Sequence, residues 1–523
     1  MPRPEGRPPA ARLAAIDVGT NTIRSIVAQE KDGGGFRVLD DEKETVRLGE
    51  GLAETGAICP AAWARAQIAL LRMAKIIAGF GVDTVEAVAT SAVRKASNGT
   101  AFVAAMAADT GIRIRVISGE EEAELAALSA RHHFETTDTR HLLVDIGGGS
   151  AEVVAALGEH LEQVVSLELG AVYLTERFVR ADPIGEAALG ALRQHIRREL
   201  KRHLDRDFGP QYLIGSGGTF TTLGNVVMLQ RGESYDAVHG YEVLHSEVVH
   251  VLAMLQRRDS RGRRAIPGVS PERADILLAG VAVVDCLMRH YGVNLLKING
   301  RGIREGLILR SLSKHGLTDA ETRPRDWRTT AREFARACHV DEVHADQVTL
   351  LGLALFDALA PACELAPRDR ELLEAACLLH DVGYFIGYAK HHKHSYHLIR
   401  HANLFDFTPR EKEIVASVAR YHRGAAPKKK HDHFAKLAVA DRVLVRRLAA
   451  LLRLADGLDR RRNRHVRSLD CTLEAGALRV RLHGEGDLSV ELHGGESRGE
   501  LFAAVFGREL VLEATAGNGS RNG

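Results

Sequence analysis

Residues 13–28, LAAIDVGTNTIRSIVA, run as an apolar stretch, a polar turn around Gly19-Thr20-Asn21, and a second apolar stretch. Two apolar runs of strand length joined by a short glycine-containing turn predict a β-hairpin. Residues 142–156, LLVDIGGGSAEVVAA, repeat the pattern: a strand ending in aspartate, a Gly/Ser turn, a returning strand. Two copies of one unit predict two similar lobes facing each other across a cleft.

Outward from the first hairpin, the pattern predicts a helix near 60–79, a short strand in VEAVAT, a helix near 99–109, and a strand, IRIRVI. The last leads into the acidic helix start SGEEEAELAAL. This makes a first block of about 12–130 and a second of about 131–315. The Asp182-Pro183 pair and the basic run 257–264, RRDSRGRR, read as exposed loops. A third block, about 325–465, has apolar residues at helical spacing in VTLLGLALFDAL, ELLEAACLLH and VLVRRLAALLRLADGL. A fourth, about 466–515, alternates in CTLEAGALRVRLHG, DLSVELHG and RELVLEA, which predicts a small β-rich domain. Residues 1–11 and 516–523 read as disordered tails.

The chain has 523 residues, too many for a single core. Its aromatic content of 5% argues against a base-stacking surface, and a net charge of +2 gives no general reason to expect nucleic acid or membrane as partner. Six scattered cysteines without a Cys-x-x-Cys pair argue against a zinc ribbon or a disulfide framework, and fit a reducing, cytoplasmic compartment. No run of about 18 apolar residues suggests a membrane span.

A phosphate ligand needs several donors aimed at one point, and glycine turns supply converging backbone N–H groups. Three such turns follow apolar runs: Asp17 to Thr22, Asp145 to Ser150, and Gly215 to Thr219. One alone is most often a plain turn; three together, two led by Asp, point to phosphate. Arg94, just past a strand, is placed to clamp a phosphate bidentately or simply to lie in solvent. Ser118 can cap the helix that opens Gly119-Glu120-Glu121-Glu122. Those glutamates suit the helix dipole, and one could also project into the cleft as a base.

The order of segments resembles the Ppx/GppA family of exopolyphosphatases and guanosine pentaphosphate phosphatases. The pieces that carry it are IDVGTNTIR, ATSAVRKASNG, ISGEEEAELA, LLVDIGGGSAEVV, SLELGAVYLTERF, LIGSGGTFTTL, HGYEV, ERADILLAG and INGRGIREGLIL, over about residues 13–310. The resemblance implies an α/β two-lobed actin-like (ASKHA, ribonuclease H-like) core, an all-α HD-like domain, and a small α+β C-terminal domain. It implies Glu122 as the water-activating base, with Asp145 and Glu152 holding Mg²⁺. Asp17, Gly19, Asn21, Thr22, Arg94, Gly147, Gly148, Ser150, Gly217, Gly218 and Thr219 would bind phosphoryl oxygens. The family's usual threonine after GGGS is Ala151 here, which removes one hydroxyl and keeps the turn. A homodimer is a further family-level expectation.

In the helical half, His344, His380-Asp381 and Asp456 resemble the H…HD…D ligand pattern of HD-type metal phosphohydrolases, with His391, His392, His394, His397 and His422 around them. This implies a second divalent metal; a helical bundle whose histidines line a basic groove is the alternative. Residues 427–467 hold 13 Lys/Arg against 4 Asp/Glu, which suits either a polyanion track or a solvated helix face.

Together these point to Mg²⁺-dependent hydrolysis of the terminal phosphate of inorganic polyphosphate. Removal of the 5′-terminal phosphate of guanosine pentaphosphate is the nearest alternative. A kinase or ATPase of the same superfold, a non-catalytic polyanion or alarmone sensor, and an independent phosphohydrolase in the HD-like half also remain open.

Overall fold

The computed structural model describes residues 10–31, 35–315 and 326–515. The chain divides into two compact units, 1–324 and 325–523. The expected tails lie outside the described residues, apart from 10 and 11.

The first unit contains two sheets. Strands β1 (Arg12–Val18), β2 (Thr22–Glu30), β3 (Phe36–Thr45), β4 (Thr84–Ala89) and β5 (Ile114–Val116) form one in the order β3-β2-β1-β4-β5. Strands β6 (Arg140–Ile146), β7 (Ala151–Leu157), β8 (His160–Leu167), β9 (Tyr212–Ser216), β10 (Glu242–Leu244) and β11 (Leu295–Asn299) form the other, in the order β10-β11-β9-β6-β7-β8. In both, the first three strands are an antiparallel meander and two more add in parallel beside the first strand, β4 and β5 in one sheet and β9 and β11 in the other, where β10 pairs antiparallel at the edge. This is the duplicated strand order of the actin-like fold. The two hairpin turns close alike: Gly19 N–H donates to Thr22 O and Gly147 N–H to Ser150 O, both at 3.0 Å.

The helices Pro60–Gly79 and Gly99–Thr110 cover one face of the first sheet, with Trp63 edge-on to Phe102. The helix Ile303–Lys314 covers the other, although it follows the last strand of the second sheet. Its Ile303, Leu307, Ile308 and Leu312 pack with Leu13, Ile26 and Val88. The helix Gly119–Arg131 serves both sheets: Leu125 joins that cluster, while Ala123, Ala127 and Ala130 pack with Leu143, Val154 and Ile214. The chain between about 118 and 131 is therefore a shared wall between the lobes. The reason is apolar surface on two sides of one helix, which a linear reading assigns to a single block.

The run 257–264 differs from the exposed loop expected. Ser260–Arg264 is a short helix, and Arg263 is 1% exposed. Its guanidinium donates to Leu255 O (3.0 Å) and pairs with Asp182 (3.1 Å), which also accepts from Ser260 N–H (2.6 Å). Asp182, itself exposed, supplies the counter-charge that lets Arg263 be buried.

In the second unit, the helices Trp327–Ala337, Glu342–Cys363, Pro367–Leu379, His391–Arg400, Pro409–Arg420 and Val439–Leu458 are followed by a sheet of β12 (Val466–Leu473), β13 (Ala477–Gly484) and β14 (Glu509–Ala514). One apolar cluster runs from Trp327 to Phe502, so helices and sheet share a core. The helix Glu342–Cys363 has the length and composition of a membrane-crossing helix, but Asp346 and Asp357 interrupt its apolar run, as the sequence reading has it, and its Val348, Leu351, Leu355 and Leu359 lie in that core. Residues 487–494, expected as a strand, enter the helix Ser489–Glu496. Packing decides this. Gly494 lies against the backbone of Gly457, so that a Cβ there would sit 2.2 Å from Gly457 O, and buried Glu491 is clamped by Arg461 (2.8 and 2.5 Å).

Candidate functional site

The three glycine turns meet at one cleft of about 250 Å³ between the two sheets of the first unit. Gly19, Asn21 and Thr22 line it from the first turn, Gly147, Gly148, Gly149 and Ser150 from the second, and Gly217 and Gly218 from the third. Gly217 is also the N-cap of the 13-residue helix Gly218–Gln230, which has no side-chain cap. Its free N–H groups thus face the cleft, where an anion can take the place of a capping side chain.

Asp17, Glu122 and Asp145 line the same space. Asp17 and Asp145 sit at the ends of β1 and β6, and Glu122 in the first turn of its helix, where Ser118 Oγ accepts from Glu121 N–H (3.1 Å). Glu152, register partner of Asp145 on β7, is 1% exposed and accepts from Ser166 Oγ (3.0 Å). Burial pushes Asp17 up to about 6, and Asp145 and Glu152 up to about 7. Burial, then the charges of Glu152 and Asp17, push Glu122 well above the usual carboxylate range. Buried acids crowded in this way disfavour their own ionised forms.

A divalent cation would reverse that cost. Asp17 Oδ1 and Glu152 Oε2 are buried without a hydrogen-bond partner, and the donors are hard carboxylate oxygens. This donor set fits Mg²⁺, which takes a few carboxylates and completes its shell with water and phosphate oxygens.

The cleft also holds cations to which sequence reasoning assigned no role: Arg24 on β2, Lys43 on β3, Arg273, and Arg301 and Arg304 beside the helix Ile303–Lys314. Arg24 and Arg304 fall within motifs already quoted, yet nothing in a linear pattern separates them from solvated arginines. Arg304 is tied to Ser25 O (3.0 Å) and Asp41 (2.5 Å), and the Arg273 guanidinium lies against Gly218, where a Cβ would be 1.9 Å from Cζ. Burial lowers Arg273 to about 10, which leaves it cationic. Arg24 Nε, Asn21 Nδ2 and Ser91 Oγ are buried without partners, as donors awaiting an anion would be.

Two expected phosphate ligands are placed otherwise. Arg94 does not line the cleft; it donates to Ile117 O (2.6 Å) and to Glu122 Oε2 (3.3 Å), so that it holds the glutamate. Thr219 is buried against Gly280, and Thr221 and Thr222 from the next turn of the helix face the cleft instead. One residue of helix turns a side chain by about 100°.

In the second unit, the residues of the H…HD…D spacing converge. His344 Nε2 lies 3.4 Å from Asp456 and 3.9 Å from Asp381, and His380 Nε2 lies 3.6 Å from Asp381 and 4.0 Å from Asp456. Seven of the 13 Lys/Arg of the basic run 427–467 have internal acceptors, while Lys428, Lys429, Lys430 and Lys436 are exposed. Arg442, Arg447, Arg453 and Arg464 donate to backbone carbonyls, and Arg461, Arg462 and Arg467 to carboxylates.

Residues 26–315 match the family model of the Ppx/GppA phosphatase family, and residues 327–490 that of Ppx/GppA phosphatase, domain III. The chain is similar to a solved Ppx/GppA family member from Aquifex aeolicus, with 28% identity and a TM-score of 0.52, over 59% of this chain and 99% of that one. It is also similar to an exopolyphosphatase from Cytophaga hutchinsonii, with 27% identity and a TM-score of 0.55, over 58% of this chain and 98% of that one.

Proposed function

The chain belongs to the Ppx/GppA phosphatase family, and on that premise we propose that it hydrolyses the terminal phosphoanhydride of inorganic polyphosphate, releasing orthophosphate. The observation that carries this reading is the layering of the cleft: buried carboxylates at its floor, with backbone N–H groups and five cationic side chains around them. Phosphoryl transfer to water asks for charge neutralisation and positioning more than covalent chemistry.

Asp145 and Glu152, with Asp17 beside them, would hold Mg²⁺, which when bound supplies positive charge to the phosphoryl oxygens. The glycine turns and Arg24, Arg273 and Arg301 bind the remaining oxygens. Glu122 takes the proton of the attacking water, and burial beside other acids raises its proton affinity. Arg94 keeps its carboxylate aimed. The leaving group is the shortened chain, a stable anion. Among the described residues no aromatic ring lines this cleft, which favours a bare polyanion over a nucleotide.

A specific observation supports a second substrate. A smaller cavity of about 130 Å³ shares Thr20, Ser91 and Gly149 with the cleft and contains Tyr173. Stacking on that ring would seat the base of guanosine pentaphosphate.

The test is phosphate release from long-chain polyphosphate with Mg²⁺, by the wild type and Glu122→Gln, beside guanosine pentaphosphate. Release by the wild type and its loss in the variant are the expected result. Equal activity in both would overturn the role of Glu122. Better turnover of the nucleotide, abolished by Tyr173→Ala, would put the second substrate first.

A further inference from the structure

We infer that the second unit is built to hold a pair of divalent transition-metal ions bridged by Asp381. This does not depend on the polyphosphate reading. Beyond the four residues of the H…HD…D spacing, the structure brings in His391, the first residue of the helix His391–Arg400, and His422, just past the helix Pro409–Arg420. All four histidines and Asp381 are at most 3% exposed.

The hydrogen bonds settle the tautomers. His380 Nδ1 faces Cys377 O (2.7 Å), His391 Nδ1 faces Tyr388 O (3.1 Å), and His422 Nδ1 faces Ala419 O (2.6 Å). His344 Nδ1 faces the Asp459 carboxylate (2.7 Å). Carbonyl and carboxylate oxygens only accept, so each Nδ1 carries a proton, and each ring, when neutral as a metal ligand must be, presents a lone pair at Nε2. Those four lone pairs converge on one carboxylate. His344 and His380 lie 3.9 and 3.6 Å from Asp381 Oδ2, and His391 and His422 lie 3.4 and 3.6 Å from Oδ1.

This arrangement is unfavourable without a cation. His391 Nε2 and His422 Nε2 are 3.2 Å apart, and if both Nδ1 atoms donate to carbonyls, the two facing atoms are both acceptors. His344 Nε2, His380 Nε2 and Asp381 Oδ1 are buried with no hydrogen-bond partner. The nitrogen and oxygen ligand atoms lie 3.4–4.0 Å apart, close to the separation of about 3–3.5 Å that bonds of about 2.1 Å give neighbouring donors, so a small inward shift lets them share an ion. His344, His380 and Asp381 Oδ2, with Asp456 3.4 and 4.0 Å from the two rings, would take one ion; His391, His422 and Asp381 Oδ1 would take the other, with water completing its shell. Mixed imidazole and carboxylate ligands select first-row transition metals over Mg²⁺ or Ca²⁺. The Nδ1 contacts, and the Arg462 guanidinium on Asp381 Oδ2 (2.7 Å), are the outer ties that fix such ligands.

The test uses the full chain, stripped with a chelator and titrated with Mn²⁺ in excess Mg²⁺, which keeps the all-oxygen site of the first unit from counting. Bound Mn²⁺ is measured by equilibrium dialysis and elemental analysis, and its state by electron paramagnetic resonance. The expected result is about two ions per chain with a spin-coupled signal, the mark of a shared bridge. Asp381→Asn should lose both ions, and His391→Gln/His422→Gln should keep one, uncoupled. Fewer than two ions in the wild type, two uncoupled ions, or unchanged binding in a folded Asp381→Asn protein would overturn the proposal. Should Asp381→Asn fail to fold, the wild-type stoichiometry and coupling decide alone.

Discussion

Asp145 and Glu152 are register partners across the β6–β7 hairpin, and the corresponding pair in the other sheet is Asp17 and Arg24. One hairpin thus sets two carboxylates on one side of a strand pair, where its counterpart sets a carboxylate and a guanidinium. The duplicated architecture thus carries an acidic pair at this position in one lobe and an acid–base pair in the other.

That division predicts a metal phenotype. Glu152→Gln should weaken the apparent activation by Mg²⁺ about 10–100-fold, because a ligand of a sparse oxygen set is lost. Chelation should abolish activity and added Mg²⁺ restore it. The check is phosphate release against Mg²⁺ concentration, and an unchanged half-activation point would remove Glu152 from the metal.

Arg94 bonds to Glu122 and stands outside the cleft lining, so it should behave as a positioning residue. Arg94→Ala is expected to lower kcat about 10²-fold through misplacement of the base, with KM changing far less. Glu122→Gln should cost about 10²–10⁴-fold in kcat. A rise in KM at constant kcat in Arg94→Ala would instead show a phosphate clamp.

Gly170 does not line the cleft, yet it should be intolerant. A Cβ there would lie 2.4 Å from Gly148 O, Gly149 C and Ser150 N, all backbone. Gly170→Ala must push the 147–150 turn, so KM for polyphosphate should rise at least about 10-fold in a protein that still folds. Wild-type kinetics would show that the turn can yield.

In the second unit, burial alone would raise the Glu411 carboxyl, but its bonds to Arg368 (2.8 and 3.2 Å) and Thr408 outweigh that and hold it below the ordinary value. A depressed folded pKa stabilises above the unfolded value, and that stability is lost as the pH falls through the folded one. Glu411→Gln should therefore cost about 1.5–3 kcal/mol near neutrality, with the difference shrinking below about pH 4.5. Thermal melts of both proteins across that range check it; a constant difference would mean that charge is not the cause.

The glycine turns, their aspartates and the acidic helix start that carries Glu122 were legible because hairpins and helix caps are written over a few consecutive residues. The cations were not. Arg24, Arg273 and Arg301 come from three distant segments, and only the closure of two sheets on each other removes them from bulk water and gives them one target. The same holds in reverse for Arg94, Arg263 and seven arginines of 427–467, which look free in the sequence and are spent on internal acceptors.

By itself, then, the sequence determined the two hairpin lobes, the acids at their turns and the H…HD…D residues of the helical half, since short-range pattern and turn chemistry suffice for these. Tertiary structure alone decided that the helix Gly119–Arg131 serves both sheets, that 489–496 is helical, and that His391 and His422 join Asp381. The physical reason is shared: burial and the pairing of buried polar groups are properties of surfaces brought together from far along the chain, and no local period encodes them.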